Sequence, residues 1–207
     1  MFYLLLMTAE VLSVFLPFLL AFSCIWRQDG RRGRKMTGEH LFFSVAFGAY
    51  LAGAFYITGC GTLYDILYFG LEWRPEQINL IPFSGEIDRV AYILNVFLFM
   101  PMGFLVPALT GVRKAGTVLW QALVAGGAVS LLIELSQLLN NRRTDVDDLI
   151  LNTMGALIGG ILYLLFRRLW TGQRRSWPRW QPVVYLGVAF LGHFFFYNEY
   201  GLVRLLW

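Results

Sequence analysis

Charge is scarce in this chain. Only 14% of its 207 residues are Asp, Glu, Lys or Arg, against 57% hydrophobic and 17% aromatic, a balance no water-soluble domain of this length carries. Cysteine and histidine number two each. His40 borders an apolar stretch and His193 stands among Phe190, Phe194, Phe195 and Phe196; neither has ligand-type neighbours at metal spacing, so no metal role and no cofactor are expected. No Ser-His or Cys-His nucleophile set is present. No internal repeat, low-complexity tract or soluble domain appears, which removes the inverted-repeat signature of many secondary transporters. The net charge of +4 needs no nucleic-acid partner, because anionic lipid headgroups can supply the counter-charge.

Long apolar runs fill the rest. They fall roughly at 4–26, 41–62, 90–111, 116–139, 149–169 and 182–198, each near the ~20 residues a helix needs to cross the hydrocarbon. The expected fold is an all-α, polytopic transmembrane bundle of about six spanning helices, a single integral membrane domain over 1–207. The segment 63–89, with Trp73-Arg74-Pro75-Glu76 and Asn79-Leu80-Ile81-Pro82-Phe83, is too short and aromatic to fold alone. It is expected to lie on the bundle as an interfacial extracytoplasmic cap or as an ordinary loop.

Basic residues orient the chain. Arg27, Arg31, Arg32, Arg34, Lys35, Arg113, Lys114, Arg167, Arg168, Arg174, Arg175 and Arg179 make twelve of the 17 basic residues and fall in three loops on one side. The positive-inside rule puts those loops in the cytoplasm and both termini outside. No basic residue precedes the first apolar run and Glu10 interrupts it, so that run reads as a spanning helix rather than a signal peptide. Ala21-Phe22-Ser23-Cys24 resembles a lipoprotein cleavage box only loosely. Cys24 and Cys60 belong to opposite membrane faces, roughly 30 Å apart at 1.5 Å per residue, and cannot be bridged.

Small residues mark close approaches. Gly155 and Gly159 have GxxxG spacing; Ser44, Gly48 and Ala52 form a second small-residue row; Gly126 extends the stripe of Ser130. Pro101 removes an amide and should kink its helix.

The ionisable group at membrane depth is Glu134, and such a group marks a functional site by default. Ser130, Glu134, Gln137 and Asn141 keep the spacing of one helix face, and Asp148, Asn152, Gly155 and Gly159 repeat it on the next helix. Asn95 enters from the preceding helix at the same depth. The candidate ligand-binding set is Asn79, Asn95, Glu134, Gln137, Arg142, Arg143, Asp145, Asp148 and Asn152. A self-satisfied network would pair Glu134 with Arg142 or Arg143 and let Asp145 or Asp148 cap the following helix.

Four ordered blocks carry a resemblance. Asn79-Leu-Ile-Pro82-Phe83, Asn95 through Pro101 and Gly103 to Pro107, Glu134-Leu-Ser-Gln137, and Arg142 through Asp145, Asp148, Asn152 and Gly155 to Gly159 are similar to the VanZ-like family over about 50–165. The doubled Arg142-Arg143 departs from the pattern and leaves the family arginine between two positions. The resemblance implies a bacterial cell-membrane protein of a family named for teicoplanin resistance, with no settled mechanism.

Three classes then compete. A binding module would hold a lipid-tailed glycopeptide, a peptidoglycan precursor or a membrane lipid, with Arg142 or Arg143 on its anionic headgroup. An intramembrane enzyme would use Glu134 and Asp148 as catalytic groups, with Asp145, Asp147 and Asp148 as a weak alternative metal set. A transporter would place polar groups along a through-path, whereas these gather at one end.

Overall fold

The structure, a computed structural model, describes residues 2–33, 36–70, 75–84, 88–140, 142–169 and 177–206. Six long helices dominate: α1 (Phe2–Arg31), α2 (Gly38–Thr58), α4 (Arg89–Thr110), α5 (Ala115–Gln137), α6 (Val146–Phe166) and α7 (Gln181–Phe196). Two short helices, α3 (Leu63–Phe69) and α8 (Glu199–Leu206), complete the set. The first five long helices are long and apolar enough to cross a membrane. With 16 residues, α7 reaches only about 24 Å at 1.5 Å per residue, yet it packs along α1 with Tyr185, Ala189 and His193 buried. The chain is a multi-pass membrane protein built as an all-α bundle.

Helix α1 extends five residues beyond the expected span and ends on Arg31. Its apolar segment finishes earlier, and the basic turn continues as helix because Arg stems can lie along apolar surface with their charge in water. Helix α4 runs without a break through Pro101 and Pro107.

Packing divides the molecule into two groups of helices. In one, α6 lies against α4 and α5. A Cβ at Gly103 would overlap the Ala156 carbonyl, one at Gly155 that of Val96, and one at Gly159 that of Met100. The α4–α6 backbones therefore touch where the GxxxG spacing placed them. In the other group α1 lies on α7, and α2 joins the halves through buried Phe43, Phe47 and Phe55. The ring of Phe18 fills the space beside Gly48 and packs on Tyr185 with centroids 5.0 Å apart.

The buried ionisable side chains fall toward the two ends, Asp29 and His40 at one and Glu10, Asp65, Glu134, Asp147 and His193 at the other. At the end that carries Arg113 and Arg179, Gln181 donates to Asp29 at 3.2 Å, and the rings of His40 and Trp177 stack 3.8 Å apart. The opposite end holds the candidate site.

Candidate functional site

A short strap organises that opposite end. Residues Ile78–Asn79 (β1) pair in parallel with Thr144–Asp145 (β2), with Asn79 opposite Asp145, so part of the 63–89 segment docks on the start of α6. Its residues Trp73 and Arg74 lie outside the described residues. Asn79 uses its whole amide: its nitrogen donates to Asp145 at 3.1 Å, and its oxygen accepts from the Ile81 amide and the Ser84 hydroxyl. Phe83 adopts φ 54° and donates its amide to Asp147 at 2.8 Å. Leu80, Ile81 and Phe83 stay exposed, an apolar rim suited to the lipid interface.

Beneath the strap lies an acidic network. Glu134 is 4% exposed; its carboxylate accepts the Asp145 amide at 3.1 Å and its carbonyl accepts the Thr144 hydroxyl at 3.0 Å. Asp145 caps α6 by accepting the Asp147 amide at 3.0 Å, where a carboxylate also meets the positive end of the helix dipole. Asp147 accepts a hydrogen bond from Tyr92, and Asp148 accepts one from Asn95. One helical turn deeper, Asn152 donates to Ser130 at 3.0 Å while its own oxygen has no partner.

Glu134 and Arg142 do not pair. Arg142 donates to the Thr58 carbonyl at 2.8 Å, and its guanidinium lies against Gly59. Gln137 donates to the same carbonyl at 2.7 Å, and Asn140 to that of Gly59 at 3.0 Å. These three groups cap the C-terminal carbonyls of α2, which have no acceptor role inside the helix. The reason is rotational. Three residues along a helix turn the side chain by about 60° from its start, and on α5 that carries Gln137 from the α6 side to the α2 side. The single expected stripe is two adjacent sites that meet different neighbours. Helix α5 ends at Gln137, Asn141 lies outside the described residues, and Arg143 is exposed.

Beyond the end of α2, bordered by Asn140 and Arg142, lies a cavity of about 280 Å³. Residues from the centre of the chain supply Tyr56, Cys60, Asp65 and Arg142; α1 supplies Tyr3 and Glu10; the end of α7 and α8 supply Tyr197, Glu199 and Tyr200. Asp65 is committed already: it accepts from the Thr62 amide at 2.6 Å, the Thr62 hydroxyl at 2.8 Å and the Tyr200 hydroxyl at 2.8 Å. Burial, then this bond to a carboxylate, raises the Tyr200 pKa well above its ordinary value, so the phenol keeps its proton. Glu10 is 7% exposed and interacts with Tyr197.

Sequence reading missed this cavity's α1 and α8 walls. The signal available was Glu10, an acid interrupting an apolar run, together with the tyrosines near both ends of the chain. Tyr92 was also missed, because a tyrosine at a membrane interface is ordinary. Among the described residues no group of three His, Cys, Asp or Glu side chains converges as a metal set. Asp145, Asp147 and Asp148 each answer a different donor.

No curated protein and no solved structure matches the chain closely enough to show kinship. A family model, described as VanZ/LLP1, matches residues 47–167, more than half of the chain and all of the acidic network, the strap and Arg142. The chain therefore belongs to the VanZ/LLP1 family, membrane proteins linked at family level to glycopeptide resistance.

Proposed function

We propose that this protein is a bacterial envelope receptor for an amphiphile, holding an anionic headgroup at Arg142 while the acidic network serves as the scaffold that fixes the strap. The observation that carries the reading is the placement of Arg142 on a cavity of about 280 Å³, slightly under the roughly 300–1,000 Å³ of small-ligand sites. That size suits a headgroup, with the tail left in lipid. One guanidinium nitrogen is anchored on Thr58, which orients the rest of the fork toward a phosphate or carboxylate. Membrane lipids, lipid-tailed glycopeptides such as teicoplanin and peptidoglycan precursors all present such a group.

Complementation of a deletion strain across a lipoglycopeptide gradient tests this, with membrane levels measured in parallel. Arg142→Gln should lower tolerance, while Glu134→Gln should stay near wild type because the Asp145 amide can still donate to the replacement's oxygen. Abrupt loss at Glu134→Gln or Asp148→Asn, at normal protein levels, would instead favour catalysis, since deleting a general acid or base costs about 10²–10⁴ in rate.

A receptor for an envelope ligand has its cavity facing outward. Tyr3 and Tyr200 both border the Arg142 cavity, so the residues near both ends of the chain share its face, and the basic loops lie opposite. A cysteine placed at position 76 should react with an impermeant thiol reagent in intact cells, and one at position 33 should resist it. Labelling at 33 and protection at 76 would put the cavity on the cytoplasmic side.

A further inference from the structure

The charges around Arg142 do not suit a purely anionic ligand. The cavity holds one cation against three carboxylates, Glu10, Asp65 and Glu199. An incoming phosphate would be attracted by one group and repelled by the others, and repulsion in a partly dry site is poorly screened. A ligand that carries its own positive charge beside the anion resolves the conflict.

We propose that the cavity recognises a zwitterion, a phosphate joined to a primary ammonium, with Arg142 on the phosphate and Glu10 and the tyrosine faces around the ammonium. This rests on the reading of Arg142 as the anion-binding group. Glu10 is the group that forms the ammonium subsite. It is a buried carboxylate on an otherwise apolar helix and it lines the cavity, and the cation that acts on it, Arg142, is exposed and already donates to the Thr58 carbonyl. A carboxylate in that position is expensive unless a donor or cation meets it directly, and a ligand ammonium would do so. Tyr56, Tyr197 and Tyr200 add aromatic surface, whose electron-rich faces attract cations. Asp65, by contrast, is occupied by Thr62 and Tyr200 and serves to position the wall. Glu199 is exposed and lines the cavity.

The split between elements sharpens the inference. Arg142, Tyr56 and Asp65 lie within the matched 47–167 region, whereas Glu10, Tyr197, Glu199 and Tyr200 lie outside it. The anion subsite thus belongs to the family core and the cation subsite to the flanking helices. Exposed Leu5 and Met7 on α1 and Tyr56 and Ile57 on α2, of which Met7 and Tyr56 line the cavity, offer apolar surface to an acyl chain.

The test is competitive lipid retention. Full-length protein is equilibrated with equimolar phosphatidylethanolamine, phosphatidylglycerol and phosphatidylcholine, and the retained lipid is counted by native mass spectrometry. Phosphatidylethanolamine should be retained about tenfold over phosphatidylglycerol, as expected for one charge-assisted hydrogen bond. It should also exceed phosphatidylcholine, whose quaternary ammonium cannot donate to Glu10. Glu10→Gln should bring phosphatidylethanolamine down to the phosphatidylglycerol level. Because Glu10 is buried, Tyr56→Ala and Glu199→Gln, both at exposed positions, provide a second pair of variants that should weaken the same preference at an unchanged melting point. A thermal shift with soluble phosphoethanolamine separates the sources: a rise equal to that given by the lipid identifies a free metabolite, and no rise identifies the lipid. Preference for phosphatidylglycerol, strengthened in Glu10→Gln, would overturn the zwitterion and leave Arg142 as an anion site. Retention of all three lipids indifferent to both Glu10→Gln and Arg142→Gln would overturn both readings.

Discussion

Gly159→Ala should lower the melting point of the detergent-solubilised protein by roughly 2–12 °C, an overpacking cost of about 1–3 kcal/mol. The added Cβ would overlap the carbonyl oxygen of Met100 on α4. Backbone cannot swing aside as a side-chain tip can, so α4 and α6 must separate along their seam, and the contacts of Gly103 and Gly155 would loosen with them. Gly187→Ala on α7 is the control. Nothing lies within 4 Å of a Cβ there, and alanine is the better helix former by about 1 kcal/mol, so that variant should melt at or above wild type. If the two variants melt alike, the α4–α6 seam is not the tight contact described.

The consequence extends to the site. Helix α4 carries Tyr92 and Asn95, and α6 carries Asp147 and Asp148. Those pairs can form only while the helices below them are in backbone contact. Gly159→Ala should therefore weaken the strap from about three helical turns away, without touching it.

How much of this was legible beforehand varies with the kind of information. The spanning helices follow from apolar run length, which lipid reads almost without regard to sequence. The GxxxG seam is similarly local, because two glycines four apart on one helix need only a partner backbone. The polar end was legible as composition but not as geometry. Ser130, Glu134 and Gln137 share a stripe on paper, yet Ser130 meets Asn152, Glu134 meets Asp145, and Gln137 meets the end of α2. A face is wide enough to meet two neighbours, and spacing along one helix does not say where the boundary between them falls. Arg142 follows the same logic. Opposite charge suggested Glu134, but the bare carbonyls ending α2 were nearer, and no pattern in the sequence announces where another helix stops. The two-residue β1–β2 pairing joins positions 66 apart and is shorter than any periodicity could reveal. The cavity wall from α1 and α8 was hidden for a related reason: it depends on the two ends of the chain meeting at one face.

The second large effect is expected at Asp147. Its carboxylate is 2% exposed and accepts from the Phe83 amide and the Tyr92 hydroxyl, so it ties the strap, α4 and α6 together in one group. Asp147→Ala would leave both donors without a partner under the strap. Hydrogen bonds to a charged acceptor contribute about 1.5–3 kcal/mol each, and Phe83 loses the contact that holds its positive φ. The strap should then lift, and the already exposed Leu80, Ile81 and Phe83, with the β1–β2 pair, would lose the fixed backbone that resists proteolysis. Asp147→Asn should be milder, since one oxygen remains to accept from Phe83. Limited proteolysis in detergent, mapped by mass spectrometry, would show new cleavage within 78–84 for the alanine variant and far less for the asparagine one. Lipid retention by Asp147→Ala should stay close to wild type, because Arg142 is held by α2 and the cavity walls are independent of the strap. Loss of lipid retention together with strap release would mean that the two sides of α5 act as one site, and the division between scaffold and receptor would fail.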